Sequence, residues 1–275
     1  MTRWILASRQ ESNTDSAPER RLQNKLAIVT GGAGGIGRAT ALEFAAQGAR
    51  VVVADIDKQG SEQTVKEIEQ LGGESISVNV DVSSWESVEQ LVNKAVASYG
   101  HLDIMFNNAG VSGESEADFL DLPLEAYRRV IGVNLHGVFH GIRAAGLAMR
   151  KGAGNHRGVI INTASFFGEL AVPNFLPYIT SKGAIIAMTK AAARDLAKYG
   201  IRVVAIGPGF IDTPITSHLK AFPEVWESVQ KMNLREKAGT PKQVAKLVGF
   251  LASDDASFVN GSTVFVDDGA STFKR

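Results

Sequence analysis

Short apolar runs rich in β-branched residues recur along this chain, and each is followed by a longer stretch with a helical period of apolar positions. Lys25–Thr30, Arg50–Asp55, a run ending at Asp81-Val82, Leu102–Phe106, Gly158–Thr163, Ile201–Ile206 and Ser262–Val266 read as seven strands, the first of them fitting a buried parallel strand. Between them, helices are expected to end at Gln47, before the stop Gly48, and to span Ser61–Leu71 and Ser84–Tyr99. Others are expected over Leu124–Met149, through the run Gly183–Lys198 after Tyr178, and from Pro241 to about Leu251. This alternation, without internal repeat or linker, predicts a single α/β domain over residues 22–275. Its sheet should be doubly wound and mostly parallel, with helices on both faces. Residues 1–21 read as a mobile polar extension, a subunit contact being the other reading. Residues 213–238, with Phe222 and Trp226, are too apolar for a solvated loop and read as a helical lid over a pocket.

Composition narrows the partners. Lysine plus arginine and aspartate plus glutamate each number 29, so the net charge is zero. The charges are scattered, which argues against a nucleic-acid groove or a basic membrane face. No apolar run reaches transmembrane length. Cysteine is absent, which excludes disulfide and thiolate chemistry and suits a reducing compartment. Trp4–Leu6 is too short for a signal-peptide core, and Glu11, Asp15 and Glu19 argue against a transit sequence. A cytoplasmic protein is expected, with a small molecule as its substrate and no metal site.

The candidate chemistry begins at Gly31–Gly37, between the first strand and its helix. Gly31, Gly35 and Gly37 there let a backbone approach a pyrophosphate at a helix N-terminus; an ordinary glycine turn is the alternative. Asp55 ends the second strand, 18 residues beyond Gly37. An acid there can accept hydrogen bonds from adenosine ribose hydroxyls and repel a 2′-phosphate, or simply cap a loop. No arginine follows it, and Gly34 leaves the turn without a basic side chain. NAD is favoured over NADP, with Lys58 counting the other way. Asn107-Asn108-Ala109-Gly110 closes the fourth strand with small residues. Asn134 sits in an otherwise apolar helix and needs a partner: it is a packing or kink residue, or a link in a proton path.

Ser165 ends an apolar strand, where it can bond a substrate oxygen. Tyr178 and Lys182 share a helix face. A tyrosine titrating near ~10 is of little use as a base at neutral pH, and a nearby ammonium favours its phenolate. Two to three pH units of lowering require about 3–4 kcal/mol, more than one solvated lysine supplies. A partly dry site and a second positive group are needed.

In this order, the Gly31–Gly37 turn, Asn107–Gly110, Asn134, Ser165, Tyr178-x-x-x-Lys182 and Pro208-Gly209 resemble the short-chain dehydrogenase/reductase family over about Leu22–Gly269. The resemblance implies a Rossmann-type fold and Tyr178 as general acid/base, with Ser165 orienting the substrate oxygen. Lys182 would hold the nicotinamide ribose and lower the tyrosine pKa, and Asn134 would hold a water linking Lys182 to solvent. The oxidised nicotinamide would be the second positive group. Further implied cofactor contacts are Gly31, Ile36 and Ile211 through backbone, Asp81 and Val82 at adenine, Asn108 at ribose and Thr213 at the carboxamide. A homo-oligomer, tetramer or dimer, is implied through the Asn134 and Tyr178 helices.

Two positions depart from relatives: Arg202-Val203-Val204 where Arg-Val-Asn is frequent, and Asp267-Asp268-Gly269 where Asp-Gly-Gly is common. An aromatic wall is expected from Phe166, Phe167, Phe175, Phe210, Phe222 and Trp226. It suits an uncharged, apolar secondary alcohol or ketone, cyclic or aromatic. The competing expectations are an NADPH-dependent 3-oxoacyl reductase and a catalytically silent dinucleotide-sensing protein.

Overall fold

The computed structural model describes residues 20–113, 118–152 and 158–272. All but Arg20 and Arg21 of the expected N-terminal extension lie outside these residues. The seven strands are β1 Leu26–Thr30, β2 Arg50–Asp55, β3 Ser75–Asn79, β4 Ile104–Asn107, β5 Gly158–Thr163, β6 Ile201–Pro208 and β7 Thr263–Val266. They form one sheet in the order β3-β2-β1-β4-β5-β6-β7, and every pairing is parallel. This is a Rossmann-type α/β fold.

Successive strand residues serve opposite cores. Leu26, Ile28, Val52 and Ala54 face the side covered by α3 (Trp85–Tyr99), α5 (Gly137–Met149) and α6 (Leu176–Leu196). Ala27, Val29, Val51 and Val53 face the side of α1 (Gly35–Ala46) and α8 (Pro241–Ala252), with α2 (Lys58–Gln70) beside them. Burial on both faces explains why these strands read as unbroken apolar runs.

Three boundaries differ from the sequence pattern. The third strand stops at Asn79, because Asp81 turns its carboxylate onto the Ser83 amide (2.9 Å) and hydroxyl (2.7 Å), making a local turn. The long helix is broken into α4 (Leu124–Ile131) and α5 by a π-helical turn at Gly132–His136. The segment 213–238 is only partly helical, with a short turn at Ser217–Ala221 and α7 at Pro223–Gln230. No residue of α7 is buried and Phe222 is 60% exposed. The apolar signal there is met by Trp226 against the buried Phe210, their rings 5.2 Å apart.

The turn between β1 and α1 is tightly closed. A Cβ built on Gly37 would lie 2.0 Å from the Gly31 carbonyl oxygen, and Gly31 itself has φ +68°. Gly37→Ala is therefore expected to destabilise the protein by about 1–3 kcal/mol, read as a lowered melting temperature.

Candidate active site

The C-terminal ends of the strands open into one cleft of about 420 Å³, a size suited to a small organic ligand. At one end, the glycine turn faces the strand that carries Asp55. Asp55 accepts from the Ala33 amide at 2.9 Å and from the Asp57 amide at 3.0 Å, so it caps the glycine turn while still lining the cleft. Thr30 and Asn108 tie β1 to β4: Thr30 Oγ1 accepts from the Asn108 amide at 2.9 Å, and Asn108 Nδ2 donates to the Thr30 carbonyl at 3.1 Å.

At the other end stand Ser165, Tyr178 and Lys182. Ser165 is buried after β5; its Oγ accepts from the Phe167 amide at 3.2 Å and is hydrogen-bonded to the Tyr178 hydroxyl. Tyr178 and Lys182 come from the first turns of α6, started by Pro177. Lys182 Nζ, 4% exposed as a residue, donates to the Thr163 carbonyl at 2.8 Å and lies 5.5 Å from the Tyr178 ring centroid. Burial pushes the Lys182 ammonium down to about 8. Burial also raises Tyr178 above the ordinary phenol value, and the Ser165 hydrogen bond opposes this without cancelling it. Desolvation is thus the larger influence on the phenol.

Asn134 does not reach the cleft wall. It is fully buried in the π-helical turn, its Oδ1 accepting from the Val111 amide (2.8 Å) and its Nδ2 donating to the Val111 carbonyl (2.9 Å) and Ser181 Oγ (3.2 Å). The packing reading is thus met. The other stays open: a Cβ on Gly110 would lie 3.3 Å from Asn134 Oδ1 and 3.7 Å from Lys182 Nζ, so both polar atoms border one small space.

Of the expected cofactor positions, Gly31, Gly35, Ile36, Asp55, Asp81, Val82, Asn108, Tyr178, Lys182, Ile211 and Thr213 line the cleft. Gly37 sits behind it, packed under Gly31. None of the six expected substrate aromatics lines it. Phe166 is turned into the core at 3% exposure, because Ser165 starts a tight turn there. It stacks on Phe167 (4.1 Å), which meets Phe175 (5.9 Å), which stands edge-on to Tyr178 (6.3 Å). Phe210 and Trp226 pair with each other, and Phe222 faces solvent.

The sequence reading missed Arg129. It is exposed on α4, lines the cleft together with Val133 one turn later, and its side chain has no hydrogen-bond or ion-pair partner among the described residues. The π-helical turn hides this, since the phase of α4 cannot be extrapolated from α5. Lys58, three residues after Asp55 in the sequence, is paired with Glu62 at 3.8 Å. Among the described residues no group of three metal-ligating side chains occurs, and no helix is long and apolar enough to cross a membrane.

A parallel sheet of this order, with a glycine turn and a Ser–Tyr–Lys set at its C-terminal edge, defines a dinucleotide-dependent oxidoreductase. The sequence profile described as enoyl-(acyl carrier protein) reductase matches residues 31–271. Cyclohexanol dehydrogenase of Acinetobacter sp. (strain SE19) is 39% identical over 92% of this chain and 97% of its own length. The 3-oxoacyl-[acyl-carrier-protein] reductase FabG of Thermotoga maritima is 38% identical over 90% and 98%. A short-chain type dehydrogenase/reductase from Mycobacterium marinum superposes with a TM-score of 0.86 at 33% identity, covering 92% of this chain and 98% of that one. The chain belongs to the short-chain dehydrogenase/reductase family, whose oxidoreductases use a nicotinamide cofactor and act on CH–OH groups.

Proposed function

We propose that the protein is an NAD(H)-dependent dehydrogenase that interconverts an apolar secondary alcohol, cyclic or aromatic, and its ketone. The observation that carries this is the Ser165–Tyr178–Lys182 set at the dry end of a cleft whose other end is bordered by Asp55. The lining suits a dinucleotide: Gly31, Gly34 and Gly35 line the cleft at the start of α1 and present no side chain to a pyrophosphate there. Gly31, Gly35 and Ile36 would hold the pyrophosphate, Asp55 and Asn108 the riboses, Asp81 and Val82 the adenine, and Ile211 and Thr213 the carboxamide. When bound, the nicotinamide supplies the hydride acceptor or donor.

The chain's own share is proton transfer and position. Ser165 orients the alcohol oxygen. Tyr178 takes the hydroxyl proton during oxidation and returns it during reduction. Lys182 sets the local charge beside the phenol, and Asn134 with Lys182 borders a space for a relay water. The substrate's apolar body would meet the cleft-lining Val111, Val133 and Ile215, with Phe167 and Phe175 packed beside Tyr178 and residues 213–238 as a lid. The cyclic alcohol in the Acinetobacter relative's name supports the substrate class. Exposed Leu124, Tyr127, Phe139 and Leu176 on α4, α5 and α6 support a homo-oligomer joined through those helices. The absence of cysteine supports a cytoplasmic location.

The test is steady-state reduction of NAD and NADP against cyclic and aryl secondary alcohols, where a strong NAD preference with turnover is expected. Asp55→Asn keeps an acceptor for the Ala33 amide but removes the charge that would repel a 2′-phosphate. The NAD/NADP ratio of kcat/KM is expected to fall by about tenfold or more, the equivalent of about 1.4 kcal/mol. A second reading, an NADPH-dependent 3-oxoacyl reductase, is favoured by the Thermotoga relative and by the unpaired Arg129 cation in the cleft wall. Asp55 argues against it.

A further inference from the structure

Between Gly209 at the end of β6 and Thr240 before α8, the chain leaves the sheet and returns, and the two ends of this excursion are closed on each other. Ile211 and Gly239 form a parallel bridge. The Gly239 amide donates to the Phe210 carbonyl at 2.9 Å, and the Asp212 amide to the Gly239 carbonyl at 2.9 Å. Asn233, 2% exposed, donates from Nδ2 to the Lys237 carbonyl at 2.6 Å and the Phe210 carbonyl at 3.3 Å.

A further fastening comes from the turn after β7. Asp268 adopts the left-handed region there, φ +51°, which most side chains avoid at about 1–2 kcal/mol. Its carbonyl accepts from the Leu234 amide at 3.1 Å. Its Oδ2 accepts from the Arg235 amide at 2.8 Å, and its Oδ1 from Arg235 Nε at 2.6 Å. The Arg235 backbone amide is the first cause holding this carboxyl below its usual range. Glycine would sit in this conformation without strain but would offer no carboxylate to the segment. Next door, Asp267 lies so close to the cleft floor that a Cβ on Gly209 would be 2.6 Å from its Cα. One two-residue turn therefore abuts the start of the excursion and grips its end.

Within the excursion the contacts are local: Lys220 to Asp212 at 2.8 Å, and Trp226 against Phe210. Yet Thr213–Thr216 form a wall of the cleft, opposite the glycine turn. We propose that Asp268 is a positioning residue for the dinucleotide site, fixing the root of this excursion so that Thr213–Thr216 stay against the glycine turn and slow cofactor release. This rests on the reading of the cleft as a dinucleotide site.

Two variants test it. Asp268→Gly keeps the backbone conformation and removes the carboxylate; Asp268→Asn tolerates the same conformation and keeps an acceptor for the Arg235 amide. NADH dissociation is followed by stopped-flow displacement, alongside the KM and kcat split and trypsin cleavage between residues 213 and 238 of the cofactor-free protein. For Asp268→Gly, dissociation and the NAD KM are expected to rise about tenfold, the equivalent of one charge-assisted hydrogen bond, with the single-turnover rate at saturating cofactor nearly unchanged. Cleavage should rise by a similar factor, and Asp268→Asn, which keeps one acceptor but not the charge, should fall between wild type and Asp268→Gly. Unchanged dissociation and cleavage in Asp268→Gly, or equal damage in Asp268→Asn, overturn the proposal. If wild-type protein binds neither NADH nor NADPH, the dinucleotide reading falls, and this role of Asp268 falls with it. Cleavage then reports only whether the root is clamped.

Discussion

Tyr178→Phe is expected to lower kcat/KM by about 10³-fold, toward the upper part of the range for a lost general acid/base. The phenyl ring keeps its edge-on contact with Phe175, so packing is retained while the phenol hydroxyl bonded to Ser165 is gone. NADH affinity should change little, because the cofactor contacts assigned to the glycine turn, Asp55 and Lys182 are untouched. The measurement is kcat/KM for one alcohol together with the NADH Kd by fluorescence. A variant within a few-fold of wild type would remove Tyr178 from the chemistry. Because burial raises the phenol, wild-type alcohol oxidation, which needs the phenolate, should speed up as pH rises into the alkaline range.

Lys182→Met is expected to cut turnover by about 10²-fold or more, since it removes the ammonium beside the tyrosine, and to cost stability only as pH rises. The folded protein holds Lys182 at about 8 against 10.5 for a solvated lysine. Between those values the unfolded chain binds more protons, so the wild type gains stability as pH rises through them, in total about 3 kcal/mol. Below pH 8 that stability is missing, and it is fully present only above about 10.5. Methionine does not titrate. Its melting temperature relative to wild type should therefore fall by roughly 5–10 °C between pH 7 and pH 10.5. At pH 7 the gain from removing a buried charge is offset by the orphaned Thr163 carbonyl, which costs about 1–3 kcal/mol. A difference that does not depend on pH would show that Lys182 is not desolvated as described.

The central strands were legible because both sheet faces are buried there, which turns β1, β2, β5 and β6 into apolar runs rich in β-branched residues, whereas the edge strand β3 is half-exposed and its end was misplaced. The glycine turn, Asp55 and the Tyr178–Lys182 pair were legible for a related reason: each depends on local spacing, four residues on a helix or a strand running into a turn. What failed were statements needing orientation in three dimensions. Phe166 and Phe210 are aromatic and adjacent to site residues, yet the backbone turns after Ser165 and Gly209 point them inward. Residues 213–238 leave Ile215, Phe222, Val225 and Leu234 exposed, so their hydropathy overstated how much of the segment is covered. Asp268 was visible as a departure, but its grip on Arg235 spans 33 residues and no local pattern shows it.

The π-helical turn at Gly132–His136 has a consequence for insertions and deletions. A regular helix advances each residue by about 100°, and one extra residue re-indexes everything beyond it. Asn134 faces Val111 and Ser181 from inside the turn, while Gly137 and Gly141 must meet Val82 and Asn107 from beyond it. A Cβ on Gly141 would lie only 1.8 Å from Asn107 Oδ1, so that second alignment has no slack. The segment therefore behaves like a gear train with a fixed number of teeth: inserting or deleting one residue here is expected to break one alignment or the other.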